Sequence, residues 1–140
     1  MTGPTSALAK RYVTEAGSAW VRALVRRRKS LVVSRIAYAE LAATVARLWR
    51  EAHLDAAARD AFFANLDEDF SRLTVLEVRP AIVARIPELV VRHPLRGYDA
   101  VHLASALALV ARGGSVDFWS SDRRLTAAAR AEGLRATLVG

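Results

Sequence analysis

Gly97-Tyr98-Asp99-Ala100-Val101-His102-Leu103-Ala104-Ser105-Ala106-Leu107-Ala108-Leu109-Val110-Ala111-Arg112 is the stretch that decides the fold. Read as a helix, it is apolar on almost every face, at Ala100, Val101, Leu103, Ala104, Leu107, Ala108 and Val110. A helix without a polar face has to be buried between other layers. Gly113-Gly114 stops it, and Val116 to Ser120 follows as a β-prone run. Ser121 or Asp122 opens a further helix to about Ala131, Gly133 ends that helix, and Arg135 to Val139 gives a last strand.

Toward the N-terminus the same alternation continues. Pro80 suits the first turn of a helix running to about His93, which Pro87 should kink or split. Leu73-Thr74-Val75-Leu76 reads as a strand, preceded by a helix over about Asp55 to Ser71. Leu31-Val32-Val33-Ser34 reads as a short buried strand, with Ser34 expected to cap a helix over about Arg35 to Ala52. That helix carries the apolar stripe Tyr38, Leu41, Ala42, Val45, Leu48 and Trp49. Two shorter helices are expected over about Thr5 to Val13 and Ala19 to Arg28, separated by Glu15-Ala16-Gly17-Ser18. Helices crossing over between short strands predict an α/β fold with a parallel sheet. No repeat or linker divides the 140 residues, so one domain is expected. Such a chain would ordinarily begin with an apolar strand, yet only Met1-Thr2-Gly3-Pro4 precedes the first helix. The first strand is therefore expected to be truncated or absent.

Composition narrows the function classes. The chain has 21 Lys and Arg against 14 Asp and Glu, a net charge of +7 carried almost entirely by arginine. That balance favours an acidic partner, nucleic acid first, with an acidic protein or a membrane surface behind it. Arginine suits bidentate phosphate recognition. There are no cysteines, which excludes a disulfide framework and thiolate zinc sites and is compatible with a reducing cytosol. The longest nearly apolar run, Ala100 to Ala111, is shorter than the ~20 residues a membrane span needs. Met1-Thr2-Gly3-Pro4 lacks the features of a secretory signal, so a cytoplasmic location is expected.

Open parallel sheets place their sites outside the carboxyl ends of the strands. Three acids obey that rule. Glu40 lies in the early turns of the helix leaving Leu31–Ser34, Asp122 follows the strand ending at Ser120, and Asp99 opens the buried helix. Each also has an ordinary reading: Asp99 and Asp122 as helix N-terminal acids complementing the dipole, Glu40 as a solvated residue on a face with Thr44, Arg47 and Glu51. Together, three carboxylates on one sheet edge repel one another unless a cation sits between them.

Four segments carry a family resemblance: Pro4-Thr5-Ser6-Ala7-Leu8-Ala9-Lys10-Arg11-Tyr12, Ala37-Tyr38-Ala39-Glu40-Leu41, Arg96-Gly97-Tyr98-Asp99-Ala100-Val101-His102-Leu103-Ala104, and Ser120-Ser121-Asp122-Arg123-Arg124-Leu125. In order and spacing they resemble the four acidic blocks of PIN domains, and more narrowly those of VapC-type ribonuclease toxins from toxin–antitoxin pairs. The resemblance implies a PIN-like three-layer α/β/α fold and a metal-dependent endoribonuclease. It implies that Glu40, Asp99 and Asp122 hold Mg²⁺ or Mn²⁺, the hard cations that carboxylates suit, and that the metal activates a water and neutralises charge on the scissile phosphate. Ser6 would orient a water or a phosphate oxygen, with helix initiation as its alternative role. The partners implied are an RNA substrate, a cognate antitoxin protein and a second copy of the chain.

One departure stands out. Members of the family carry an aspartate where this chain has Pro4, and proline neither ligates a metal nor donates a sheet hydrogen bond. Two expectations follow: either an upstream sequence with the aspartate precedes this start, or the copy is degenerate. The second makes the chain an inactive PIN-like module that still binds RNA or the antitoxin.

Among the basic residues, Arg123 and Arg124 adjoin Asp122, and Arg96 stands near Asp99, so these three are the candidates for RNA phosphate contact. The cluster Arg22, Arg26, Arg27, Arg28 and Lys29 is either a phosphate contact or a solvated helix end. His53, His93 and His102 are too scattered for a zinc site. His102, one turn after Asp99, either faces the site or is a packed residue. Trp20, Trp49 and Trp119 read as packing residues, with stacking on a base as the alternative.

Overall fold

The computed structural model describes residues 32–72 and 74–138. The strands form two parallel pairs. β1 (Val32–Ser34) lies beside β2 (Thr74–Leu76) with Val33 opposite Val75, and β3 (Asp117–Ser120) lies beside β4 (Arg135–Leu138) with Phe118 opposite Ala136. Parallel neighbours need long crossovers, and helices supply both. α1 (Ile36–Arg50) and α2 (Ala56–Arg72) lead from β1 to β2. α6 (Arg123–Ala131) leads from β3 to β4, and between the two pairs run α3 (Pro80–Val83), α4 (Ile86–Arg92) and α5 (Gly97–Ala111). The expected parallel α/β arrangement is therefore present. The truncated first strand, the helices expected over 5–13 and 19–28, and Pro4, Thr5, Ser6, Trp20 and the cluster from Arg22 to Lys29 lie outside the described residues.

α5 is the axis of the core, as its largely apolar pattern requires. Leu103, Ala104, Ala106 and Leu107 are buried against Ile82 and Leu89 of α3 and α4 and against Phe118, Leu125, Ala128 and Ala129 of β3 and α6. Burial of each Leu or Phe contributes roughly 1.5–3 kcal/mol. Alanine on α5 lets the neighbouring elements approach closely while the leucines fill the space between them.

Pro87 does split its helix: Pro80–Val83 and Ile86–Arg92 are separate, with Pro87 in the first turn of the second. Behind α4, Arg92 donates to Glu132 (Nη1 to Oε1, 2.9 Å), and His93 Nε2 lies 2.6 Å from Glu132 Oε2. These contacts tie the end of α4 to the end of α6. Gly133, at φ +92°, ends α6 in a conformation that L side chains rarely adopt.

Two expectations are corrected. Ser34 does not cap α1: it is fully buried as the last residue of β1, the N-cap position belongs to Arg35, and no side chain caps that end. The strand pairing explains this, because Arg35 N donates to Leu76 O (2.8 Å) and keeps Ser34 in the sheet. Trp49 is 42% exposed, since the buried stripe of α1 is Ala37, Leu41 and Val45, and the Arg59 guanidinium stacks 4.6 Å from its ring. Trp119 is buried as expected.

Candidate active site

The site forms where β3 ends and α5 begins. Ser120, fully buried, accepts a hydrogen bond from Asp122 N at its Oγ (2.9 Å), turning the chain out of the sheet. Asp122 then caps α6: its Oδ1 accepts from Arg124 N (2.8 Å) and Leu125 N (3.1 Å). The helix-cap reading of Asp122 is thus correct, and it occupies only one of the two carboxylate oxygens. The other, Oδ2, faces Arg96.

Asp99 behaves differently. It lies in the first turn of α5, but the N-cap is Arg96 and no side chain caps that end. Its carboxylate is 9% exposed, and Oδ2 accepts from Arg96 Nε at 3.3 Å. Burial pushes the Asp99 carboxyl above its ordinary value; the Arg96 hydrogen bond and charge oppose that shift, and the Asp122 charge reinforces it. Arg96 also donates from Nη2 to Asp122 Oδ2 at 3.5 Å, and its guanidinium stacks 4.8 Å from the Tyr98 ring. One guanidinium therefore serves two carboxylates from different elements.

Glu40 enters from α1. Its side chain is 20% exposed, and Oε1 lies 2.7 Å from Nε2 of His102, which is completely buried. Glu40 is thus held in place and is not the freely solvated residue of its ordinary reading. All three acids converge electrostatically on Tyr98. Burial raises its hydroxyl pKa first, Arg96 lowers it, and the charges of Asp99, Glu40 and Asp122 add to the rise. An open groove of about 520 Å³ runs past the site, lined by Pro94, Leu95, Arg96, Asp99, Asp122, Arg123 and Arg124. The three arginines singled out for phosphate contact thus share one wall with two of the acids.

These side chains fit a hard divalent cation in kind, being carboxylates with oxygens left over from capping and burial. Asp99 and Asp122 already share a positive charge, that of Arg96. Among the described residues, however, no three His, Asp or Glu side chains stand together as a ready-made centre. Glu40 is held by His102, and Arg96 stands between the other two acids.

Sequence reasoning left His102 undecided between site and core, and it belongs to both: buried on α5, it reaches the site through Glu40. The signal was a histidine on a largely apolar helix, one turn from Asp99.

The PIN domain family profile matches residues 5–131. The chain is 39% identical over 136 residues to Ribonuclease VapC45 of Mycobacterium tuberculosis (strain CDC 1551 / Oshkosh), covering 93% of this chain and 89% of that protein. Its fold resembles that of FitAcB from Neisseria gonorrhoeae, with a TM-score of 0.70, 15% identity, and 96% of this chain and 94% of that one covered. It also resembles Mycobacterium tuberculosis VapC20, described as a sarcin-ricin loop cleaving toxin, with a TM-score of 0.65, 20% identity, and 91% and 93% covered. Parallel strand pairs crossed by helices, a groove that brings Asp99 and Asp122 together, and 39% identity along nearly the whole length agree: the chain belongs to the PIN domain family, with the three-layer α/β/α fold of that family, and within it to the VapC type.

Proposed function

We propose that the chain is an endoribonuclease of the VapC toxin type, acting as one PIN domain on RNA with Mg²⁺ or Mn²⁺. The observation that carries this reading is the bridging of Asp99 and Asp122 by one cationic group in a groove walled by arginines. Two carboxylates turned to one positive charge form a cation-binding arrangement, and the arginines beside it suit a polyanion. The relatives named as ribonucleases support the reaction class.

In this reading Asp99, Asp122 and Glu40 would hold the divalent ion, whose chemistry is to lower the pKa of water and to neutralise charge building on the phosphate. The chain's own residues do the rest. His102 fixes the rotamer of Glu40. Burial fixes Asp99, and the α6 cap fixes Asp122, so the carboxylates need little reorganisation. Arg96, Arg123 and Arg124 receive the RNA backbone. Ser6 keeps its proposed role of orienting a water or phosphate oxygen. A cognate antitoxin and a second copy of the chain are the protein partners this reading carries, and the cytoplasm is its compartment.

The second reading, an inactive PIN-like module that binds RNA or antitoxin, is favoured by one observation: Arg96 and His102 already satisfy the acids. Cleavage of a structured RNA by the full chain with added Mn²⁺, compared with its Asp99→Asn variant, separates the two. Cleavage lost in the variant supports the enzyme. RNA binding without cleavage at any Mn²⁺ concentration supports the inactive module.

A further inference from the structure

Arg96 stands where the proposed chemistry needs something else. Its side chain is 65% exposed, and an exposed ion pair ordinarily holds an arginine only weakly. Here three contacts act on one guanidinium: Asp99 Oδ2 at 3.3 Å, Asp122 Oδ2 at 3.5 Å and the Tyr98 ring at 4.8 Å. Both carboxylates are fixed independently of it, Asp99 by burial and Asp122 by its bonds to the Arg124 and Leu125 amides. The oxygens of these two carboxylates are the donors a hard cation held here would draw on. A guanidinium and a divalent ion placed between the same two carboxylates compete for their negative charge, and the two cations repel each other.

Resting on the ribonuclease reading, we infer that Arg96 is a built-in competitor for the divalent cation and a releasable arm for RNA. Without the ion, the guanidinium bridges Asp99 and Asp122. When the ion takes those oxygens, the same side chain turns into the groove beside Arg123 and Arg124, where its planar fork meets a phosphate. Coupling of this kind is reciprocal. The ion frees the arm that binds RNA, and RNA draws the arm away from the carboxylates and so tightens the ion. Arg96 thereby makes metal and substrate depend on each other in a way that two independent sites on one groove would not.

Mn²⁺ titration of the full chain, followed by the EPR signal of free Mn²⁺, tests the idea in wild type, Arg96→Gln and Arg96→Lys. Each is measured with and without a single-stranded 2′-O-methyl oligoribonucleotide. Without the oligonucleotide, Arg96→Gln binds Mn²⁺ about three- to tenfold more tightly than wild type, since one exposed ion-pair competitor is gone. The oligonucleotide tightens Mn²⁺ in wild type and does so several-fold less in Arg96→Gln. Arg96→Lys, which keeps the charge and loses the fork, stays near wild type in Mn²⁺ affinity but shows weaker coupling. Equal or weaker Mn²⁺ binding by Arg96→Gln, or equal coupling in wild type and Arg96→Gln, overturns the competitor role and leaves the ribonuclease reading standing. Failure of the wild type itself to bind Mn²⁺ overturns both.

Discussion

His102, with no exposed surface, holds Glu40 from inside the protein: its Nε2 lies 2.7 Å from Glu40 Oε1, and the two residues sit on different helices. This contact joins the deepest layer of the core to the rim of the groove. A buried ring loses little entropy on making the bond, so the carboxylate it meets is fixed at the cost of a side chain that packing had already ordered. Leu at position 102 would keep the apolar packing and remove the partner. We expect His102→Leu to lower RNA cleavage about 10- to 100-fold, the range typical for partners that orient metal-binding carboxylates. His102→Gln, which retains a polar amide, should recover part of the loss. Single-turnover cleavage together with Mn²⁺ affinity checks this; unchanged values for His102→Leu would make the contact mere packing.

Asp99 presents the opposite trade. Burial disfavours its charge and the Arg96 hydrogen bond restores part of it, so the ionised group is held in an unfavourable place. Asparagine is close in shape and has no charge to desolvate. Asp99→Asn should therefore leave the unfolding free energy from urea titration within about 1 kcal/mol of wild type, given that the bond it loses is to an exposed arginine, while cleavage falls at least about 100-fold. A variant that is inactive because it has unfolded would contradict this account.

Much of the architecture was readable in the chain because its signals are local. The largely apolar run after Gly97 demanded a buried helix, Pro87 demanded a break, and the glycine at 133 demanded a stop; all three are present. Where the reading failed, a non-local contact overrode a local preference. Ser34 is a good capping residue, but the backbone of the next position pairs with Leu76, 41 positions on, and keeps Ser34 in the strand. Trp49 fell on the apolar stripe by periodicity, yet it stands in the last turn of its helix, past the core, with Arg59 beside it. The pattern alone put Asp122 just after a strand and Glu40 in the helix leaving one, as the structure has them. Their partners could not be read this way: Arg96 reaches Asp122 across 26 positions and His102 reaches Glu40 across 62, and no local signal announces either pair.

Glu132 gives the fold a pH dependence. His93 and Arg92 both bond its carboxylate, His93 being the larger influence, and together they hold its pKa below the usual glutamate range against the opposing effect of burial. A depressed folded-state value means that the unfolded chain binds the proton more readily. The stabilisation is therefore complete above the unfolded glutamate pKa and is lost as pH falls through the lower, folded value. Glu132→Gln should cost about 1–3 kcal/mol near neutral pH, as expected for hydrogen bonds to a charged group, and the difference from wild type should shrink on acidification. Urea unfolding of both proteins between neutral and acidic pH measures this. A difference that stays constant across the range would assign the effect to packing and not to charge. The consequence for function is local: Glu132 anchors His93, and the loop that follows carries Pro94, Leu95 and Arg96 into the groove wall.

Gly133 tests whether that anchor depends on the backbone beside it. Its φ of +92° lies beyond what an L side chain readily adopts, and a Cβ placed there would meet nothing within 4 Å. Alanine at this position meets strain alone, without collision, so Gly133→Ala should destabilise by about 1–2 kcal/mol. Gly114 is the contrasting case: a Cβ there would come 2.9 Å from the Leu109 carbonyl oxygen, a backbone atom that cannot simply rotate away. Because Leu134 N donates to Ala129 O just after the turn (3.0 Å) and Leu134 is buried in the core cluster, strain at position 133 bears on the entry of β4 and on Glu132 alike. Gly133→Ala should then weaken the pH dependence assigned to Glu132 as well as lower the midpoint, whereas Gly114→Ala should lower the midpoint and leave that dependence intact. If Gly133→Ala lowers the midpoint and keeps the full acid sensitivity, the turn and the anchor are independent.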